Sequence, residues 1–208
     1  QGLSNGVSKA GASVLDFGMC TTPAMYMCII TPGFQPDGSI MITASHHPYD
    51  KNGLKFFLAE GGVEGDVVEE LLKTASTLEP EDTPLAGTIV KKPFLPTYKE
   101  QLADRIRRGL GTDVPKTLVG LHVVVDAGNG AGGFYAQLME ELGAWIEGSQ
   151  FLEPDGMFPN HIPNPENEAA MASISAAVKR VGADLGVIFD TDCDRAAVVD
   201  ADGGGINR

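Results

Sequence analysis

Short apolar runs alternate along this chain with stretches whose apolar residues recur at helical spacing, and glycine, proline or charge separates them. Residues 12–19 read as a strand. Thr22 followed by Pro23 reads as an N-cap with proline at the first helical position, which predicts a helix over 23–30, stopped ahead of Pro32. Residues 39–44 and 54–59 read as two further strands. Asp66 and Glu69 have capping-box spacing, and Val67, Val68, Leu71, Leu72 and Ala75 then line one helical face. The proline- and charge-rich stretch 79–96 reads as a surface loop. Thr97 and Glu100 repeat the capping pattern ahead of Leu102 and Ile106, in a helix ending near Gly109 or Gly111.

Residues 112–116 read as a linker, and 121–125 as a buried strand that opens a second unit. A glycine-rich turn, a helix to Gly143 and a strand around 145–146 follow. Beyond a Pro/Asn loop, Asn164–Pro165 opens a helix with Ile174, Val178 and Val181 on one face, closed by Gly182. The last strands are 185–189 and 196–199. This alternation predicts an α/β protein of two α/β sandwich domains with mixed sheets, residues 1–116 and 117–208.

Composition narrows the function. The chain has 208 residues, 43% of them hydrophobic, which is enough for one large or two small cores. A net charge of −13 argues against nucleic acid, whose phosphates are met by basic surfaces. No apolar run reaches the roughly 18–20 residues that span a bilayer. Cys20, Cys28 and Cys193 form no C-x-x-C pair, which points to a reducing, intracellular setting. The expected location is the cytoplasm, with an organelle such as a plastid as the alternative.

Three motifs carry candidate chemistry. Residues 43–48, T-A-S-H-H-P, place Ser45 and two histidines on a loop at a strand end, where reactive residues are often mounted, although the same residues also suit a plain polar turn. Asp190, Asp192 and Asp194 follow an apolar strand at alternating positions. In an extended loop their carboxylates would point the same way, and their repulsion would call for a cation. Oxygen-only ligands suit Mg²⁺ or Ca²⁺. An EF-hand is excluded because Arg195 and Ala201 stand where it needs Gly and Glu. A phosphatase with an aspartate nucleophile or a solvated acidic turn remains a rival reading. Third, Gly128, Gly130 and Gly133 match G-x-G-x-x-G, with Glu147 near the place of a ribose-binding acid. The competing reading is a tight strand-to-helix turn packed on its sheet.

The two polar motifs, in this order, resemble the phosphoserine loop (T-A-S-H-N-P) and metal loop (D-G-D-G-D-R) of the phosphoglucomutase/phosphomannomutase superfamily, the α-D-phosphohexomutases. The segment V-V-D-A-G-N-G-A is similar to the start of that family's second domain. P-D-G-M-F-P-N-H-I-P-N-P-E-N is similar to the phosphoglucomutase/phosphomannomutase branch. The resemblance implies an isomerase that interconverts hexose 1-phosphate and hexose 6-phosphate through a phosphoserine and a bisphosphorylated sugar. It implies Ser45 as the phosphorylated residue, His46 beside it, Lys55 in acid/base work and Arg195 facing a phosphate. Asp190, Asp192 and Asp194, with a phosphate oxygen on Ser45, would hold Mg²⁺. Partners would be glucose or mannose phosphates and hexose bisphosphate, with no dinucleotide.

The departures are His47 for Asn, and Thr191 and Cys193 for two glycines. The family has four domains, and these residues resemble most of the first and the second. The sugar-selecting loop, the C-terminal phosphate loop and the N-terminal arginine segment have no counterpart here. The alternative is a mutase-derived structural or interaction subunit without catalysis.

Overall fold

The structure, a computed structural model, describes residues 1–79 and 83–206. They form an α/β fold in two compact units. One comprises Gln1–Cys20, Ala24–Met41 and Lys55–Leu95; the other Thr21–Pro23, Ile42–Leu54 and the chain from Pro96 onward.

The first unit holds helix α1 (Gly2–Lys9), strand β1 (Val14–Asp16), the body of α2 (Thr22–Ile30), most of β2 (Ser39–Ile42) and β3 (Leu54–Leu58), then β4 (Gly61–Gly62), α3 (Gly65–Thr77) and β5 (Ile89–Lys91). Its strands make two sheets, a parallel β1–β5 pair and a three-stranded β2-β3-β4 sheet, in place of the single mixed sheet expected there. The reason is that β5 lies inside the stretch expected to be loop. The short run Ile89–Val90 pairs with Val14 and Leu15, a partner remote in sequence that no local pattern reveals. Positions 80–82 of that stretch lie outside the described residues.

Aromatic packing fills this unit. Phe94 is fully buried, with its ring 4.7 Å from Phe34 and 5.5 Å from Phe17. At the end of α1, Ser8 is buried and its hydroxyl donates to the Gly87 carbonyl at 2.8 Å. A Cβ on Gly87 would stand 2.0 Å from the Ala12 carbonyl oxygen, so only glycine permits this closure. Helix α3 departs from expectation in two ways. Its N-cap is Glu64, and the Asp66 carboxylate instead accepts from the neighbouring Val67 N–H. Its apolar face buries no residue within the unit.

The second unit holds nearly all of α4 (Leu95–Gly109), then β6 (Val123–Asp126), a 3₁₀ turn (Ala131–Gly133), α5 (Phe134–Glu141), α6 (Glu168–Val181), β7 (Leu185–Phe189) and β8 (Ala196–Asp200). Its sheet is mixed, with β6 parallel and β8 antiparallel to the central β7. Side chains alternate across β6, so one strand serves two cores. Val123 and Val125 face Leu138 and Leu142, with Leu102 and Ile106 of α4 packed alongside. Val124 faces Ile174, Ala177 and Val178 of α6, together with Ile188 and Val199. Helix α6 lies close on the sheet because β7 offers Gly186 beneath it; a Cβ there would meet Val178 and Val199 at 2.6 Å.

Helix ends follow their caps more than their prolines. Helix α6 starts at Glu168, not at 164–165, because Asn164 turns its carboxamide onto the Glu166 N–H while Asn167 caps Ala169 and Ala170. Gly182 closes it in the left-handed conformation, as expected. Helix α4 starts at Leu95, ahead of Thr97, and ends at Gly109. The strand expected around 145–146 reduces to a bridge from Trp145 to His122, bounded by Gly143 and Gly148, both at positive φ.

Ile174 is fully buried between α6 and the sheet. Ile174→Ala should therefore destabilise the chain by about 2–5 kcal/mol, read as a lower urea midpoint with an unchanged slope.

Candidate functional site

Strand β7 delivers residues 190–195 as a tight turn, not as the extended loop expected from their alternation. The Asp190 N–H donates to the Arg195 carbonyl at 3.1 Å, and the Cys193 N–H donates to the Asp190 carbonyl at 3.2 Å. Closing so short a turn puts Cys193 in the left-handed region at φ 62, where glycine would be at ease. Thr191 is not among the residues at positive φ. The turn still gathers the carboxylates: one oxygen from each of Asp190, Asp192 and Asp194 lies within 4.8 Å of the others. Asp190 and Asp192 are buried and Asp194 is exposed.

Arg195 holds this cluster. Its backbone N–H donates to Asp190 Oδ1 at 3.0 Å, while Nε and Nη2 donate to Asp190 Oδ2 at 3.2 and 3.1 Å. Asp192 is clasped from another side, by a segment remote in sequence. The Thr22 hydroxyl donates to Asp192 Oδ2 at 2.6 Å, and the Thr22 N–H donates to the Asp192 carbonyl at 2.9 Å. Sequence reading assigns Thr22 only a capping role; nothing local signals its second partner.

The loop 43–53 brings Ser45 to the same place. Its neck is closed by the Thr43 N–H donating to the Gly53 carbonyl at 3.0 Å. Ser45 sits at φ 51, an uncommon conformation for serine, and its N–H donates to Thr43 Oγ1 at 2.9 Å. Such strain, of order 1–3 kcal/mol, collects at functional positions. Nη2 of Arg195 donates to Ser45 Oγ at 3.0 Å and faces His46 Nδ1 at 2.6 Å. One guanidinium nitrogen thus bridges the serine hydroxyl, the histidine and the Asp190 carboxylate. With Nδ1 accepting from arginine, the His46 ring proton belongs on Nε2. The His46 and His47 rings stack at 4.9 Å. Lys55 lies in β3, in the first unit, and is half-buried.

Packing explains the glycine-rich turn. A Cβ on Gly128 would meet Pro163 at 2.9 Å, one on Gly130 would meet the Thr191 backbone at 2.6 Å, and one on Gly133 would meet the Leu152 carbonyl oxygen at 2.0 Å. The Ala131 N–H also donates to the Thr191 carbonyl at 2.8 Å. Close packing against other segments accounts for all three glycines, which is the structural reading of G-x-G-x-x-G. Glu147 is exposed, and its backbone carbonyl faces His122 Nε2 at 2.8 Å.

Burial pushes the Asp190 carboxyl up to about 7; the Arg195 backbone N–H works against that shift, and the charges of Asp192 and Asp194 add to it. A cluster that is reluctant to ionise fully, made only of carboxylate oxygens, fits a hard divalent cation.

Two family models match the chain. The one described as phosphoglucomutase/phosphomannomutase, alpha/beta/alpha domain II, matches residues 97–204, and the one for domain I matches residues 1–81. A phosphoglucomutase of Neisseria gonorrhoeae is 33% identical over 97% of this chain and 41% of its own length. A phosphomannomutase/phosphoglucomutase of Pseudomonas putida is 37% identical over 95% of this chain and 40% of its own. The crystal structure of a phosphoglucomutase/phosphomannomutase family protein from Burkholderia thailandensis superimposes with a TM-score of 0.80 at 32% identity, covering 98% of this chain and 43% of that one. The chain therefore spans about two fifths of the length of the relatives it matches. No helix among the described residues is long and apolar enough to cross a membrane.

The raised Asp190 pKa fixes the sign of a pH dependence. Between the ordinary carboxyl value of 3.8 and about 7, the folded state keeps a proton that the unfolded state has lost. In metal-free protein, stability should therefore fall as pH rises through that window and level off above it. Asp190→Asn should flatten the slope, as read from denaturant midpoints across the range. An unchanged slope in that variant would place the titration elsewhere.

Proposed function

Because the chain belongs to the phosphoglucomutase/phosphomannomutase family, we propose that it is the part of a phosphohexomutase that carries the phosphorylated serine and the metal loop. In this reading residues 1–116 and 117–208 are the first and second domains of a longer four-domain enzyme. The observation that carries the reading is the single guanidinium nitrogen shared by Ser45 Oγ and Asp190 Oδ2, groups far apart in sequence.

The reaction assigns each residue a task. A sugar hydroxyl attacks the phosphorus carried on Ser45; the new O–P bond forms as the Oγ–P bond breaks, and the hydroxyl proton leaves to a base. In the reverse sense Ser45 Oγ recovers a phosphoryl group from the bisphosphorylated sugar. Lys55 is the assigned proton carrier, and His46 stands beside the serine, its Nδ1 3.3 Å from Ser45 Oγ. Arg195, which donates to Ser45 Oγ, would meet the phosphoryl oxygens with charge-assisted hydrogen bonds. Asp190, Asp192 and Asp194 would hold Mg²⁺ together with an oxygen of phosphorylated Ser45. When bound, Mg²⁺ would offset the negative charge that builds in phosphoryl transfer. The substrates in this reading are glucose or mannose phosphates.

Two measurements test it. Asp192→Asn replaces one charged ligand oxygen by a neutral one. Mg²⁺ affinity by calorimetry should fall at least about tenfold, since even indirect partners of a metal site matter that much. Unchanged affinity would contradict the assignment. Turnover tests the rest: a coupled assay with glucose 1-phosphate and mannose 1-phosphate, primed with hexose bisphosphate. The 208 residues alone should show negligible turnover and a full-length parent should be active, because remote binding groups position the reacting oxygen. An inactive parent whose Ser45 never takes up phosphate would favour a non-catalytic subunit.

A further inference from the structure

The loop between α5 and α6 carries a histidine that the reaction scheme leaves unused. The His161 side chain is 5% exposed, and Nε2 lies 3.1 Å from both oxygens of Asp126, which is itself fully buried. Nδ1 lies 2.9 Å from the Ile162 carbonyl oxygen. Both ring nitrogens therefore face acceptors, and only the doubly protonated imidazolium can donate to both. Asp126 is in turn held by the Gly128 N–H at 2.9 Å and by Gln150 Nε2 at 2.8 Å. The Phe151 ring stands edge-on to the imidazole at 5.4 Å, and Gly128 is small enough to let the ring approach. Among the described residues, Asp126 is the carboxylate in hydrogen-bond reach of the imidazole.

What this buried pair anchors is the start of the segment that touches Arg195. Three residues beyond His161, Asn164 Oδ1 accepts from Arg195 Nη1 at 3.3 Å, and the Glu166 carboxylate lies 3.6 Å from the same nitrogen. The other guanidinium nitrogens are those engaged with Asp190, Ser45 and His46. We propose that His161 is a positioning residue for Arg195: a buried imidazolium, pinned on Asp126, that fixes the 160–167 segment so that Asn164 and Glu166 aim the guanidinium at Ser45 and Asp190. Its link to catalysis rests on the reading of that centre as the phosphoryl-transfer site. Burial works against the charged ring, but the hydrogen bonds to Asp126 and Ile162 and the charge of Asp126 outweigh it and raise the His161 pKa. The support it lends is thus complete below the ordinary value of 6.5 and is lost as pH rises through the raised value.

The test is nitrogen-15 NMR on the 208-residue chain. Both ring nitrogens of His161 should be protonated at about pH 7, above the ordinary histidine pKa. In an Asp190→Asn/His46→Gln background, which removes the carboxyl of raised pKa and the other imidazole in contact with the guanidinium, the Arg195 Nε–H signal should move with the midpoint of the His161 ring. Asp126→Asn should lower that midpoint by about one unit or more. His161→Gln should displace the Arg195 signal and, in the full-length parent, slow the phosphorylation of Ser45 by hexose bisphosphate about tenfold, the scale expected when a reacting group is misplaced. His122→Gln should change neither.

A neutral His161 ring at neutral pH, or an Arg195 signal indifferent to His161, overturns the proposal; both readings come from the unmodified ring and do not depend on the His161 and Asp126 variants folding. If the two signals are coupled but Ser45 takes no phosphate in the full-length parent, the phosphoryl-transfer reading fails and the positioning of Arg195 stands.

Discussion

The Arg195 guanidinium on the buried Asp190 carboxylate is the interaction on which the arrangement of the site depends. A carboxyl group taken out of water and flanked by two more is unstable as an anion, and three donors from a single residue offset part of that penalty. Because Arg195 reaches Asp190 through its backbone as well as its side chain, the same contacts close the 190–195 turn and gather the aspartates. Nη2, one of those donors, also reaches Ser45 and His46, while Nη1 reaches Asn164.

That arrangement depends on close backbone approach around the turn. Gly130 lets Thr191 settle against the end of β6, Gly128 lets the His161–Pro163 segment lie above it, and Gly133 takes the Leu152 carbonyl. Any side chain at these places would push out a loop that carries part of the site. A spacing that looks like a nucleotide fingerprint is here the consequence of three loops meeting on one strand-to-helix turn.

Of the six described non-glycine residues at positive φ, two lie in the site. Ser45 and Cys193 adopt left-handed angles without being glycine. At Cys193 the strain accompanies a buried thiol that packs near Gly132 and Phe189, so the side chain recovers in packing some of what the backbone loses. At Ser45 the conformation turns the hydroxyl toward Arg195. Thr191, the other departure from the glycines of related metal loops, carries no positive φ and touches Gly130 through its backbone.

Local patterns in the sequence determined much of the second unit. Short apolar runs located β7 and β8, the Asn and Gly caps bracket α6 within a few residues, and the spacing of three acids after a strand marked the candidate metal loop. These features are legible because neighbouring residues satisfy one another. The first unit was less legible: β5 exists only because β1 pairs with it, and the apolar face of α3 is amphipathic in sequence yet buries nothing within its unit. Only tertiary structure could decide that Thr22 clasps Asp192, that Arg195 joins Ser45 to Asp190, and that His161 is pinned on Asp126. Each of these links groups from separate segments through hydrogen bonds whose geometry exists only after the chain has closed long loops, and no short-range pattern encodes which distant donor will meet a buried carboxylate.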